Sequence, residues 1–171
     1  TDRDLAVYGQ GWSPELLDPR YHFGDYIPNE ELASYYAAAS IVLNDHWPDM
    51  AEHGFFSNRL YDASAAGAFV ISDHVPGIEQ EFDDGIVTFR TGAELRHAVD
   101  RFLADPEERD EHARRAHAAV LKRHTFAHRA RKILDALDPV LADRPNRIFG
   151  DAAEAPEPRG PTPTATGIHG R

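Results

Sequence analysis

Four short apolar runs constrain the fold of this 171-residue chain more than any other feature of its sequence. They occupy residues 4–8 (DLAVY), 40–44 (SIVLN), 68–72 (AFVIS) and 86–89 (IVTF), and a weaker run occupies residues 21–23 (YHF). In each run apolar residues follow one another directly, instead of alternating with polar ones. This pattern is typical of parallel strands that are covered on both faces.

Helical patterns fill the segments between these runs. Asn29 can cap a helix over residues 30–39, and Ser57 can cap a second helix that ends at Gly67, a residue suited to the left-handed C-cap position. Thr91 begins a capping box before a third helix. Strands and helices that alternate along a chain imply right-handed crossovers. The sequence therefore predicts an α/β fold, with a doubly wound parallel sheet and helices on both of its faces.

The C-terminal part of the sequence has a different composition. Residues 151–171 are rich in Pro, Ala, Gly and Thr. Residues 139–150 are transitional, and Pro139 is expected to end the preceding helix. A segment with so little apolar surface to bury cannot offset the entropy lost on ordering. We therefore predict a folded domain over residues 1–138 and a Pro-rich, disordered tail over residues 139–171.

Composition excludes several classes of function. The chain has no cysteine, which excludes disulfides, zinc–thiolate sites and a Cys nucleophile. Its net charge of −11 argues against binding to nucleic acid or anionic membranes, although a locally positive site could still bind a small anion. No apolar run reaches the roughly 20 residues that span a bilayer, and no secretory leader is found. We expect a cytoplasmic protein that is at most peripheral at the inner membrane face.

Ligands of doubly wound sheets bind beyond the carboxyl ends of the strands. The loop after the first run carries Gly9, Gly11 and Trp12, and its two glycines let the backbone approach a ligand closely. This loop is not a dinucleotide fingerprint, because no third glycine follows and Pro14 delays any helix. A plain turn remains the alternative. In later loops, three histidines are candidates for contacting substrate: His46, His53 and His74.

Residues 44–67 form the most informative segment, a long polar and aromatic loop followed by a helix. Arg59 falls in the first helical turn, where it opposes the helix dipole at a cost of roughly 0.3–1 kcal/mol. The placement becomes favourable if an anion binds the helix N-terminus beside the guanidinium. Asp62 could accept hydrogen bonds from a ribose diol. Alternatively, Arg59 and Asp62 form an i,i+3 ion pair on the protein surface.

Four separated elements of the sequence resemble the C-terminal half of GT-B glycosyltransferases, in the expected order. They are VYGQGW (7–12), DYIPNEELASYYAAASIVLND (25–45), GFFSNRLYDASAAGAFVISD (54–73) and HTFAHR (124–129). The resemblance covers roughly residues 5 to 137. It is closest to the bacterial "glycosyl transferases group 1" type, which includes spore-maturation-like proteins.

The resemblance implies a Rossmann-like, nucleotide-sugar-binding domain over residues 1–138, for transfer of a hexose to an acceptor hydroxyl with retention of configuration. It also implies a separate N-terminal acceptor domain as partner and a missing first strand–helix unit, so this fragment itself is expected to be inactive. Neither a metal nor another cofactor is expected, and no catalytic residue is assigned. The candidate donor-binding residues are Gly9, Gly11, Trp12, Tyr26, Asn44, Asp45, Gly54, Phe55, Ser57, Asn58, Arg59 and Asp62.

The sequence departs from the family pattern at one informative position. Related enzymes carry two Glu separated by seven residues, and the second of them corresponds to Asp62, which could still bind ribose. The first corresponds to Gly54, which has no carboxylate. The Arg and Lys that hold the diphosphate in many relatives lie upstream of the first strand seen here. Arg59 is therefore the candidate substitute.

Two hypotheses compete with a transferase: a non-catalytic module, and a single domain of the receiver-like or flavodoxin-like kind. A non-catalytic, degenerate glycosyltransferase-like module, used for binding or assembly, is favoured by the missing Glu at position 54. A receiver-like domain needs an acidic cluster and a phosphoacceptor Asp with a downstream Lys. A flavodoxin-like domain needs a Ser/Thr-rich phosphate loop after the first strand. The sequence shows neither set of features.

Overall fold

The computed structural model describes residues 4–142 of the chain. Its strands are β1 (Val7–Tyr8), β2 (His22–Gly24), β3 (Val42–Asn44), β4 (Val70–Asp73) and β5 (Val87–Phe89). Its helices are α1 (Asn29–Ala38), α2 (Pro48–Glu52), α3 (Asn58–Ala65), α4 (Ile78–Glu81), α5 (Gly92–Ala104), α6 (Pro106–Arg123) and α7 (Phe126–Ala142). A 3₁₀ turn at Pro19–Tyr21 precedes β2.

The chain divides into two compact units, Thr1–Ala130 and Arg131–Arg171. The first unit contains the five strands together with α1 to α6. Of the second unit, the structure describes residues 131–142, which belong to α7. The predicted boundary between domain and tail after residue 138 stays a prediction.

The strands pair in parallel, as the apolar runs predict. β1 pairs with β2 in one sheet, and β4 lies between β3 and β5 in a second sheet. The register places Asn44 beside Ser72 and Asp73 beside Phe89, so the carboxyl ends of these three strands meet at one edge. The observed fold differs from a single continuous sheet only in that β1 and β2 form a separate ladder. The α/β prediction is confirmed.

Successive residues of β4 point to opposite faces of the sheet, and each face is covered. Val70 packs in a buried cluster with Leu60 of α3 and Phe82. Ile71 packs in a second buried cluster with Phe102 of α5. A strand buried on both faces needs apolar side chains at consecutive positions, which explains the run that the sequence shows there.

The helix boundaries confirm most of the predicted capping residues. Ser57 and Thr91 accept backbone amides of the first turns of α3 and α5, and Gly67 follows α3 with φ of +80°. The prediction for Asn29 is wrong, because Asn29 is the first residue inside α1. The carbonyl of Pro28 already accepts a first-turn amide, so the helix begins directly after Pro28.

Pro139 does not end the last helix, contrary to the prediction. Helix α7 continues through it to Ala142. A proline removes one backbone hydrogen bond and crowds the preceding turn. Here only the last turn of the helix follows it, so the loss is confined to the helix end. The predicted disorder of the tail concerns residues 143–171, which lie outside the described residues.

His112 gives the folded domain a pH-dependent stability. Its Nδ1 lies 3.0 Å from the carbonyl oxygen of Asp84, and its ring meets the edge of the Phe102 ring. Partial burial lowers the pKa of His112 below its usual value, and the nearby charge of Arg115 lowers it further. Folding therefore favours the uncharged imidazole.

We expect the free energy of unfolding to decrease as the pH falls through about 6.5, the usual pKa of histidine. Over this range the unfolded chain binds a proton that the folded chain does not, until the pH lies below the folded pKa as well. Urea unfolding at about pH 7.5 and about pH 5.5 measures the change, and His112→Gln should reduce it. If the stability of this variant depends on pH as strongly as that of the unmodified protein, groups other than His112 cause the effect.

Candidate functional site

Polar side chains end the two neighbouring strands β3 and β4. Asn44 is the last residue of β3, and Ser72 and Asp73 are the last residues of β4. Asn44 and Ser72 are buried, with exposed fractions of 3% and 0%. Buried polar groups are costly unless they are hydrogen-bonded, so these side chains must have partners.

A chain of hydrogen bonds satisfies these groups and reaches helix α3. Arg59 Nη1 donates to Asn44 Oδ1 at 3.0 Å, and Asn44 Nδ2 donates to Ser72 Oγ at 2.9 Å. Ser72 Oγ in turn donates to Asp73 Oδ1 at 3.1 Å, and the same oxygen lies 2.5 Å from His46 Nδ1. We call these five residues the strand-end chain. It places the guanidinium at the carboxyl edge of the sheet.

The first turn of α3 explains why Arg59 reaches this edge. Ser57 caps the helix, and its Oγ accepts the amide of Arg59 at 3.3 Å. Its carbonyl accepts the amide of Leu60. In the part of the chain that the structure describes, the amide of Asn58 has no such partner. One amide and one guanidinium therefore lie together at the N-terminus of this helix, where the dipole favours an anion.

The alternative of a surface ion pair between Arg59 and Asp62 is wrong. Within residues 4–142, no nitrogen of Arg59 lies within 4 Å of a carboxylate oxygen of Asp62. Both residues instead influence the pKa of Tyr36, which lies on the neighbouring helix α1. Burial raises the pKa of Tyr36, Arg59 opposes this rise and Asp62 adds to it.

The glycine loop after β1 is ordered around Trp12. Gly9 and Gly11 have φ of +134° and +87°, which favour glycine. A side-chain carbon at Gly9 would lie 3.5 Å from the indole nitrogen of Trp12. His22 Nε2 lies 3.0 Å from the Gly9 carbonyl oxygen. Tyr26, after β2, is 73% exposed. Over the described residues, no hydrogen bond joins this group to the strand-end chain.

The remaining candidates lie in the loop between β3 and α3. This loop contains the short helix α2, which the sequence analysis missed, and Gly54 follows it with φ of +69°. Asp45, Phe55 and Asn58 are exposed. Of the three candidate histidines, only His46 joins the strand-end chain: His53 contacts the backbone of Asp49, and His74 pairs with Glu79.

Glu79 receives several hydrogen bonds at the end of β4. Its Oε1 accepts Thr88 Oγ1 at 3.2 Å and lies 3.2 Å from His74 Nδ1. Burial alone would raise the pKa of Glu79, but its backbone contact, Thr88 and His74 together lower it. Glu79 therefore stays ionised beside the edge on which the strand-end chain lies.

A small crevice of about 220 Å³ lies elsewhere on the domain. It is lined by the end of α1, by the segments just before β3 and β4 and by α6, including Ser40, Gly67 and Asp110. This is the amino end of the strands. Parallel sheets bind ligands at the carboxyl ends, so the strand-end chain is the better candidate site.

A family model described as "Glycosyl transferase-like" matches residues 1–135. The chain belongs to this family. No curated protein and no solved structure matched it. Membership confirms the resemblance to group 1 glycosyltransferases and assigns this glycosyl transferase-like domain to glycosyl transfer in general.

Two observations on the described residues concern metal ions and membranes. Among residues 4–142, no group of three or more His, Asp or Glu side chains is placed to hold a metal ion. No helix in that range is both long and apolar enough to cross a membrane. The expectation that no metal is required stays a prediction.

Ser72, Asp73 and Tyr36 join the candidate site in the structure, and the sequence did not single them out. Ser72 and Asp73 end the run AFVISD, directly after a buried strand. The same reasoning that singled out Asn44 at the end of its strand would have identified them. Tyr36 had no comparable signal, because its position depends on how α1 packs beside α3.

Proposed function

We propose that this glycosyl transferase-like domain binds a nucleotide-diphosphate sugar, as the donor for transfer of a hexose to an acceptor hydroxyl. The contact between Arg59 and Asn44 carries the proposal, because it holds a guanidinium at the carboxyl edge of a parallel sheet. The same edge receives the N-terminus of α3. A diphosphate matches this pairing of a fixed cation with a helix N-terminus.

The chemistry of transfer explains why such a pairing is useful. As the bond between sugar and diphosphate breaks, positive charge develops on the sugar and negative charge on the leaving phosphate. Oriented N–H groups and a guanidinium stabilise that negative charge without reorganising. Arg59 and the amide of Asn58 would supply these donors, so a divalent metal is not required in this proposal.

Asp62 is proposed to accept hydrogen bonds from the ribose hydroxyls. It lies one turn after Arg59 on α3 and is exposed, so a ligand can reach it. The glycine and aromatic groups at Gly9, Gly11, Trp12 and Tyr26 are proposed to line the nucleotide. Retention of the anomeric configuration is part of the same proposal.

A non-catalytic binding module is the second candidate, and Gly54 favours it. Related enzymes carry a Glu at the corresponding position. Here the backbone has φ of +69°, a conformation that a side-chain-bearing residue adopts only with strain. The loop geometry therefore suits glycine and not the family's carboxylate. Such a module would bind nucleotide without promoting transfer.

Calorimetric titration of the 171-residue chain tests the proposed function. UDP or GDP should bind about tenfold more tightly than the matching monophosphate, because the second phosphate adds charge-assisted hydrogen bonds. Addition of EDTA should leave the affinity unchanged. Equal affinities for diphosphate and nucleoside would contradict the diphosphate site. Release of UDP or GDP from a nucleotide hexose by this chain would exclude the second candidate.

A further inference from the structure

The strand-end chain can be hydrogen-bonded in only one direction. A guanidinium has donors and no acceptor, so Asn44 must present Oδ1 to Arg59. Asn44 Nδ2 must then donate to Ser72 Oγ. Since Ser72 Oγ accepts there, its own hydrogen is directed to Asp73. The orientation of each group follows from the one before it.

The other end of the chain is fixed in the same way. An ionised carboxylate only accepts, so His46 Nδ1 carries a hydrogen and donates it to Asp73 Oδ1. The His46 side chain is fully buried, and its Nε2 has no partner among the described residues. His46 and Ser72 thus hold the Asp73 carboxylate from two sides. The buried members of the strand-end chain, Asn44, Ser72 and His46, thereby restrict its hydrogen bonds to one arrangement.

We propose that Ser72, Asp73 and His46 are positioning residues for Arg59. They hold one N–H of its guanidinium against Asn44, and a second contact joins Arg59 to Tyr36, so the N–H groups that remain are held in place to bind a phosphate. An exposed arginine without such support loses rotamer entropy when it binds a ligand. In this protein the strand-end chain already fixes the Arg59 rotamer in the folded state, so the entropy is lost on folding and not on binding. The identity of the ligand rests on the proposed function, whereas the positioning of Arg59 does not.

A purely structural role would give a different result from a positioning role. The same bonds also tie β3 to β4 and to α3, so their loss should lower stability in either case. A structural role leaves the affinity of the folded protein unchanged. If the residues position Arg59, loss of these bonds weakens ligand binding and lets the guanidinium rotate more freely.

The test uses Ser72→Ala, with Ser64→Ala as a matched control, in the 171-residue chain. Ser64 is also fully buried, but its Oγ has no hydrogen-bond partner among the described residues. Ser72→Ala should bind UDP or GDP about tenfold more weakly, whereas Ser64→Ala should bind like the unmodified protein. Ser72→Thr keeps the hydroxyl and should restore most of the affinity.

A second measurement needs no ligand. The rotation of the Arg59 guanidinium about Nε–Cζ can be followed by NMR, with Arg59→Lys used to assign its signal. Rotation should be slow in the unmodified protein and in Ser64→Ala, and faster in Ser72→Ala. If Ser72→Ala does not fold, Asp73→Asn replaces it, because the Asp73 side chain is 26% exposed and tolerates substitution better.

The outcomes separate the two proposals. If the unmodified protein binds neither UDP nor GDP, the proposed function fails, and the NMR measurement alone decides the positioning. Faster rotation in Ser72→Ala or Asp73→Asn supports the positioning. Unchanged rotation, or unchanged nucleotide affinity where binding occurs, overturns it.

Discussion

Replacing Arg59 with alanine is expected to weaken the binding of UDP or GDP by about 100-fold, measured by calorimetric titration of the 171-residue chain. Two charge-assisted hydrogen bonds to a diphosphate account for a loss of this size. The free energy of unfolding should change by less than about 1 kcal/mol, because two effects offset each other. The variant loses the bond to Asn44, but it also loses a cation that opposes the dipole of α3.

Two further variants make the Arg59 result specific. Arg59→Lys keeps the charge but not the planar fork, so its affinity should fall by about tenfold. Arg96 is an exposed arginine on α5, and Arg96→Ala should leave the affinity unchanged. If Arg59→Ala binds the nucleotide as tightly as the unmodified protein, the phosphate binds elsewhere on the domain and Arg59 has no part in the proposed function.

The parallel sheet was predictable because a strand buried on both faces has apolar residues at consecutive positions, which can be seen in one short segment. In β4, Val70 and Ile71 are neighbours in sequence and enter two different buried clusters. Only a strand covered on both sides requires this. The capping role of Ser57 was equally accessible, since it depends on a side chain and an amide two residues apart.

Other misses concern very short helices and a helix that contains proline. Helices α2 and α4 span five and four residues, too few for an apolar stripe to repeat. Pro139 resembles a stop signal, yet its effect depends on how much helix follows it. Composition alone therefore does not reveal where these helices begin and end.

The location of the candidate site was predictable from the sequence, but most of its hydrogen bonds were not. Arg59 and Asn44 follow from their places at a helix start and a strand end. The links through Ser72 and Asp73 to His46 depend on side-chain directions across 27 and 28 residues of sequence, which no spacing rule supplies. Sequence reasoning therefore finds the edge of the sheet where function lies and leaves the hydrogen bonds to the structure.

Replacing Gly85 with alanine is expected to lower the free energy of unfolding by about 3 kcal/mol or more. A side-chain carbon at this buried position would lie 2.3 Å from the backbone nitrogen of Ala116 and 2.7 Å from its Cα. The turn that ends at Gly85 also docks on α6 through Asp83, which pairs with Arg123. Relief of the clash requires the turn and the helix to separate, so both contacts weaken together. Urea unfolding measures the change.

Gly92→Ala is the matched control for this prediction. Gly92 begins α5, nothing lies within 4 Å of the added carbon, and its φ is not in the left-handed region. Alanine there should raise the free energy of unfolding by about 0.4–1 kcal/mol, because it restricts the unfolded chain. In Gly85→Ala, a second change of Ala116→Gly removes one of the three close contacts but leaves the 2.3 Å approach to the backbone. Stability should therefore recover only in part. Full recovery would show that the Ala116 side chain, and not the helix backbone, requires glycine at position 85.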